Sequence, residues 1–257
     1  MKIVRFQTEL TPPQYGWVDE DRIGVIEGDP FGESRRYETE FSLSEVELLL
    51  PCEPGKVIGI ARNYSEHIRE MGRQPTEVPL IFLKPLSSLL ASGQPIILPP
   101  QSQQVEHEAE LAVVIKKKCR WLKIEEAKNV IFGYSIGNDV TARDLQQQDV
   151  QYTRGKGFDT FCPFGPWIET EFDPSDALIS CHVNNTLTQM ASTREMIYDV
   201  FQLISFITSV MTLYPGDVIL TGTPAGVSKL SPGDTVSIHI DGIGNLSNPV
   251  IAEPTVN

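Results

Sequence analysis

The sequence predicts a mainly β fold of the α+β class. Short runs rich in aliphatic and β-branched residues recur along the chain, separated by Gly, Pro, Asn and Asp turns. These runs do not alternate with helical patterns, which argues against a doubly wound sheet or a (β/α)₈ barrel. A single segment keeps a helical spacing over several turns: Ile197, Val200, Phe201, Ile204, Ile207, Val210 and Met211 lie three or four apart. Thr193 is its expected N-cap and Pro215-Gly216 its stop.

Residues 1–54 are expected to form a small β-rich domain. Strand candidates at 2–6, 15–18 and 23–26 are separated by Thr11-Pro12-Pro13, residues 19–21 and Gly28-Asp29-Pro30. Ser44 should cap a brief helix over 45–50, stopped by Pro51. A larger domain, 55–257, opens on a strand at 56–60. Further strands are expected at 80–83, 96–98, 109–115, 130–136, 166–169, 177–183, 217–220 and 235–240. Asn184-Asn185 suits a tight hairpin, because Asn tolerates positive φ.

Composition excludes several function classes. A net charge of −13 in 257 residues argues against sequence-independent nucleic-acid binding and against docking on anionic membranes. The longest apolar stretch, 196–213, is interrupted by Asp199, Gln202, Ser205, Thr208 and Ser209, so it does not read as a membrane span. Cys52, Cys119, Cys162 and Cys181 show no C-x-x-C spacing and read as reduced thiols. With Met1 leading directly into a strand and no leader pattern, a cytoplasmic location is expected.

The segment Glu106-His107-Glu108-Ala109-Glu110-Leu111 places two carboxylates two residues apart before an apolar run. In a strand both leave one face, where they repel unless a hard cation lies between them or water solvates them. Asp139, at the end of the next strand-like run, is a third candidate oxygen donor. In Ser65-Glu66-His67-Ile68-Arg69-Glu70-Met71-Gly72, His67 and Glu70 share one face of a short helix that Ser65 should cap and Gly72 close. Such a pair is either an acid–base dyad on a lid or a surface contact stabilising the helix. Lys156 stands between two glycines and suits either a solvated loop or an anion site. Arg143 and Asp144 read as a structural ion pair. Thr223, in the loop Gly222-Thr223-Pro224-Ala225-Gly226, has a hydroxyl to offer a ligand. His107 reads as a supporting or surface residue, and His182 and His239 as core or surface residues.

Taken in order, Asn63-Tyr64-x-x-His67-x-x-Glu70, Glu108-x-Glu110-Leu111, Asn138-Asp139-Val140-Thr141-Ala142-Arg143-Asp144 and Lys156-Gly157-Phe158-Asp159-Thr160 resemble the fumarylacetoacetate hydrolase family. Pro163-x-Gly165-Pro166 and Gly216-Asp217-x-Ile219-x-Thr221-Gly222-Thr223-Pro224 extend the likeness. It implies a mixed β-sandwich roll, a homodimer, and Mg²⁺ or Mn²⁺ held by Glu108, Glu110 and Asp139. It further implies catalytic roles for His67, Glu70 and Lys156, and substrate contacts from Gln146, Thr223 and Arg62. The fourth acidic ligand of the longer family members has no counterpart here.

The activity so implied is C–C hydrolysis or decarboxylation of a small 2-oxo acid: a 2,4-dioxo acid (an acylpyruvate) or oxaloacetate. The metal and Lys156 would stabilise an enolate common to these reactions. Isomerisation or tautomerisation of a 2-hydroxydienedioate or of oxaloacetate is the alternative. A non-catalytic oxo-acid binder is a third reading, and predicts ligand binding without turnover.

Overall fold

The computed structural model describes residues 1–254. Strands dominate, and the few helices sit at their ends, so the α+β class holds. A twelve-stranded sheet runs, in spatial order, through Ser34–Ser42, Arg22–Gly28, Thr11–Asp19, Lys2–Thr8, Cys162–Glu169, Ile131–Asn138, Ala109–Ile115, Val218–Leu220, Val57–Ala61 and Leu80–Lys84, with two short strands off this path. A five-stranded sheet holds Thr186–Ser192, Leu178–Val183, Thr235–Ile240, Gly244–Ala252 and Ile96–Leu98. The N-terminal strands are therefore continuous with the large sheet, joined where Lys2 and Ile3 pair with Glu169 and Ile168.

The two sheets enclose the main core. Leu111, Val113 and Ile136 of the large sheet pack with Ile179, Ile238, Ile240 and Leu246 of the small one. The helix Val200–Val210 closes the core with Val200, Leu203, Ile204 and Ile207. Ala112 and Val114 point the other way, into a second cluster with Val57, Phe164, Ile168 and Val218. Every residue of Ala109–Ile115 is buried, which explains the apolar run after Glu110, at 111–115: a strand covered on both faces has no polar face to alternate with.

Four local expectations are corrected. Thr11-Pro12-Pro13 is not a turn but the start of a strand; the prolines lie opposite a register shift, where no ladder bond needs their missing N–H. No helix forms over 45–50. A 3₁₀ turn, Leu43–Glu45, is capped by Ser42, and Glu47–Leu48 then pairs with Phe6 and Gln7, so strand pairing overrides local helix propensity. Ser34–Ser42 is an unforeseen strand whose exposed charges suit a sheet edge. The long helix begins at Val200 rather than after Thr193. Asp199 accepts from the amides of Phe201 and Gln202, and Gln202 returns a bond to the Asp199 amide. That capping box is a stronger start than Thr193 offers. It leaves Ile197 and Tyr198 in a bend outside the helix, with their amides bonded to Asn63 O and Asn63 Oδ1 at 2.8 Å each.

Asp199→Ala removes two bonds to otherwise unpaired helix amides. It should lower unfolding stability by about 1 kcal/mol, read as a lower urea midpoint at unchanged slope.

Candidate active site

The ladder itself assembles the acidic cluster. Ala109 lies opposite Asn138, which brings the residues just beyond the two strands together. The Asp139 amide donates to Glu108 O at 2.9 Å, and the Glu108 amide to Asn138 Oδ1 at 2.9 Å. On the other side of Ala109–Ile115, Val218–Leu220 ends at Thr221, whose amide and hydroxyl both bond Leu111 O. The next amide, that of Gly222, donates to Glu110 Oε2 at 2.7 Å. Glu108, Glu110 and Asp139 are all buried, and each offers an oxygen within 4.8 Å of the others.

Cations surround this cluster. Lys156 ends a short helix, Thr153–Lys156, and its Nζ donates to Glu108 Oε2 and Thr141 Oγ1 at 2.9 Å and to Asp139 Oδ2. It is buried rather than a solvated loop lysine. Arg143 donates from Nε to Glu106 Oε2 (2.8 Å), from Nη2 to Glu108 Oε1 (2.6 Å) and from Nη1 to Gln146 Oε1 (2.7 Å). The expected Arg143–Asp144 ion pair does not form. Asp144 instead accepts from Ser102 Oγ and the Gln103 and Leu145 amides, as a short acidic side chain in the first turn of a helix readily does.

Lys84 is the residue that sequence reading missed. Its ammonium is fully buried between Asp139 Oδ1 (2.6 Å) and Lys156 O (2.5 Å). Its strand is apolar in both phases before it, so no alternation marks Lys84 as turned inward. Glu106, the partner of Arg143, was also unassigned.

Counting formal charge gives four buried carboxylates (Glu106, Glu108, Glu110, Asp139) against three buried cations (Lys84, Lys156, Arg143). Glu110 is the carboxylate without an ion pair among the described residues; its bond is to the Gly222 amide. Burial, reinforced by Asp139 and Glu108, holds its carboxyl well above the usual range. Glu108 differs. Burial pushes it up, but Lys156 and Arg143 outweigh that and hold it below the usual range. Burial lowers Lys156 while Asp139 and Glu108 raise it further, so its ammonium is retained. An all-oxygen donor set with one uncompensated negative charge fits a hard divalent cation such as Mg²⁺ or Mn²⁺.

The second half of the site is the helix Ser65–Glu70. Ser65 is its first residue, not its cap; Tyr64 holds that position without a side-chain bond. Gly72, at φ 61°, follows the helix end as expected. His67 Nδ1 lies 3.1 Å from Glu70 Oε2, and the Gly226 amide donates to both Glu70 oxygens at 3.1 and 3.2 Å. The dyad is thereby docked on the loop that follows Gly222, rather than standing on the surface. His67, Arg62, Gln146, Lys156 and Thr223 line one cleft with Glu108 and Arg143, while Glu110 and Asp139 are buried beside Glu108 and do not line it. Arg62 adopts φ 60°, a rare conformation for a side chain without an Asn-type local bond. Thr223 is not free to donate to a ligand: its hydroxyl donates to Ala109 O at 2.9 Å and accepts from Gln189 Nε2 at 2.8 Å. His107 is buried between Gln189 Oε1 (3.0 Å) and Ser228 Oγ (2.9 Å), and burial lowers its pKa. His239 bonds Asn245 and Asp241 at the surface.

The model for the fumarylacetoacetate hydrolase C-terminal family matches residues 56–251, and an Rv2993c-like N-terminal model matches residues 1–51. The chain belongs to the fumarylacetoacetate hydrolase family. Protein Rv2993c of Mycobacterium tuberculosis is 48% identical, over 86% of this chain and 85% of that one. Oxaloacetate tautomerase FAHD2B of Bos taurus is 40% identical, over 81% of this chain and 70% of that protein. Two solved structures are similar over nearly the whole chain. A 2-hydroxyhepta-2,4-diene-1,7-dioate isomerase from Mycobacterium marinum has a TM-score of 0.91 and 41% identity, covering 99% of this chain and 100% of that one. A maleylpyruvate hydrolase from Sphingobium sp. SYK-6, in complex with manganese(II) and pyruvate, has a TM-score of 0.82 and 32% identity, again over 99% and 100%.

Glu110→Gln keeps an acceptor for Gly222 and removes the unpaired charge. Because the native carboxyl is raised, the stability it confers is complete at low pH and lost as pH climbs through its folded value. In EDTA at pH 7 the variant should therefore melt no lower than the wild type. Excess Mn²⁺ should raise the wild-type melting temperature, by the equivalent of about 2.7 kcal/mol at a hundredfold excess over Kd, and leave the variant unmoved.

Proposed function

We propose that this protein is a divalent-metal-dependent enzyme that breaks a C–C bond in small 2-oxo acids. The reaction is hydrolysis of an acylpyruvate or decarboxylation of oxaloacetate. The observation that supports it most is the His67–Glu70 pair, held by the Gly226 amide over the same cleft that Lys156 and Glu108 line. Glu108, Glu110 and Asp139 would hold the Mg²⁺ or Mn²⁺. When bound, that ion supplies Lewis-acid polarisation of the substrate's carboxylate and 2-oxo oxygens.

The chain's own groups then have distinct tasks. Glu70, accepting from Gly226, has an oxygen for the His67 Nδ1–H, which leaves Nε2 as the basic nitrogen. In hydrolysis, Nε2 takes a proton from water as the water oxygen attacks the 4-carbonyl carbon. The C3–C4 bond breaks, its electron pair passes to the pyruvate fragment, and His67 returns the proton to C3. The products are pyruvate and a carboxylic acid. Oxaloacetate needs no attacking water: carbon dioxide leaves, and C3 takes up a proton. Lys156 and Arg143 oppose the negative charge that develops in the cleft. Arg62 and Gln146, on its wall, suit the remaining polar groups of the substrate.

A second reading, keto–enol tautomerisation of oxaloacetate or isomerisation of a 2-hydroxydienedioate, is favoured by what the bovine and M. marinum relatives are named for. It uses the same His67 proton transfer at C3 without bond cleavage.

Purified protein with Mn²⁺ should release pyruvate from acetylpyruvate or oxaloacetate, followed with a lactate dehydrogenase couple. Loss of enol absorbance without pyruvate would reject cleavage and support the second reading. His67→Ala should lower kcat by about 10²- to 10⁴-fold while the Mn²⁺ affinity stays within a few-fold of the wild type. Full turnover by that variant would remove His67 from the mechanism.

A further inference from the structure

Gln189 lies outside the cleft, on the strand Thr186–Ser192 of the small sheet, and is almost fully buried. Its amide group is engaged at both ends. Oε1 accepts from the Ala109 amide and from His107 Nδ1, each at 3.0 Å. Nε2 donates to Thr223 Oγ1 at 2.8 Å and to Pro224 O at 2.7 Å. Thr223 closes the ring by donating to Ala109 O at 2.9 Å. Since Oε1 only accepts, His107 carries its proton on Nδ1, and its Nε2 accepts from Ser228 Oγ.

The two segments joined by this ring are the ones that hold the two halves of the site. Ala109 stands between Glu108 and Glu110. The 222–226 loop bonds Glu110 through the Gly222 amide and Glu70 through the Gly226 amide. The loop also runs against the Gln189 strand, where a Cβ on Gly226 would meet Thr188 O at 1.9 Å. Both halves are thus referenced to one side chain from the opposite sheet.

We propose that Gln189 is a positioning residue: it sets the acidic cluster and the His67–Glu70 pair in register by clamping Ala109 to the Thr223-Pro224 turn. This rests on the metal-dependent reading above. A purely structural glutamine would affect melting alone. A positioning glutamine alters the spacing of Glu108 and Glu110, and hence metal affinity, along with turnover through Glu70.

Gln189→Met keeps the volume and removes all four bonds. Gln189→Asn keeps the amide but is one methylene too short to span both segments, and serves where the Met variant does not fold. Isothermal titration with Mn²⁺ on the metal-free full chain, and kcat at saturating Mn²⁺, are the two readouts. Each folded variant should bind Mn²⁺ roughly 10- to 100-fold more weakly and turn over at least about tenfold more slowly. Ser42→Ala, which uncaps the Leu43–Glu45 turn among the N-terminal strands, should match the wild type in both. Mn²⁺ affinity and kcat within twofold of the wild type in a folded Gln189 variant would overturn the inference alone. A wild-type chain that binds no Mn²⁺ would overturn it together with the metal reading.

Discussion

The structure is organised around an imbalance of buried charge. Four carboxylates and three cations meet where three strands of the large sheet end, and a lone buried charge is expensive unless a counter-ion or a proton meets it. Glu110, between the Glu108 and Asp139 charges and tied to a single amide, bears that imbalance. Lys84, Lys156 and Arg143 hold the remaining oxygens in place without cancelling the total. Such an arrangement fits a divalent cation far better than it fits an empty core.

The surrounding fold makes this arrangement rigid. Ala109–Ile115 is buried on both faces and hydrogen-bonded on both edges, so the ladder fixes Glu110, and the bonds to Asn138 and Asp139 fix Glu108 at its end. The dyad sits on more modest support. Its helix is six residues long, too short to persist alone. It is held by Asn63, which ties its entry to Tyr198 and Thr221, and by the Gly226–Glu70 contact at its far end. A firmly set base beneath a lightly held helix is a reasonable design for a site that must admit substrate and then exclude water.

Much of this was legible in the sequence where local pattern and tertiary role coincide. The 109–115 and 235–240 strands have the bounds expected, because their residue types agree with their burial. The Glu108, Glu110 and Asp139 grouping was legible as an acidic pattern, although Glu108 lies just before the strand and meets Asp139 past the Ala109–Asn138 pair rather than through strand period. Partners supplied from a distance were not legible. Nothing near Lys84 in the chain points to Asp139, 55 residues on, and Arg143 has an acidic neighbour in sequence yet pairs with Glu106 and Glu108 from another strand. Thr223 lines the cleft, but its hydroxyl, expected to serve a ligand, is claimed by Gln189 and Ala109, a constraint set by the opposite sheet. At 45–50 and at 193, local caps lost to pairing with Phe6 and Gln7 and to the stronger capping box at Asp199.

The most direct measurement is anomalous diffraction at the manganese edge from crystals grown with Mn²⁺ and oxalate. The account predicts one strong peak per chain, bonded to oxygens of Glu108, Glu110 and Asp139 at about 2.0–2.6 Å, with the oxalate chelating its remaining positions beneath His67. A peak elsewhere, or none among these three carboxylates in a fully occupied crystal, would contradict it.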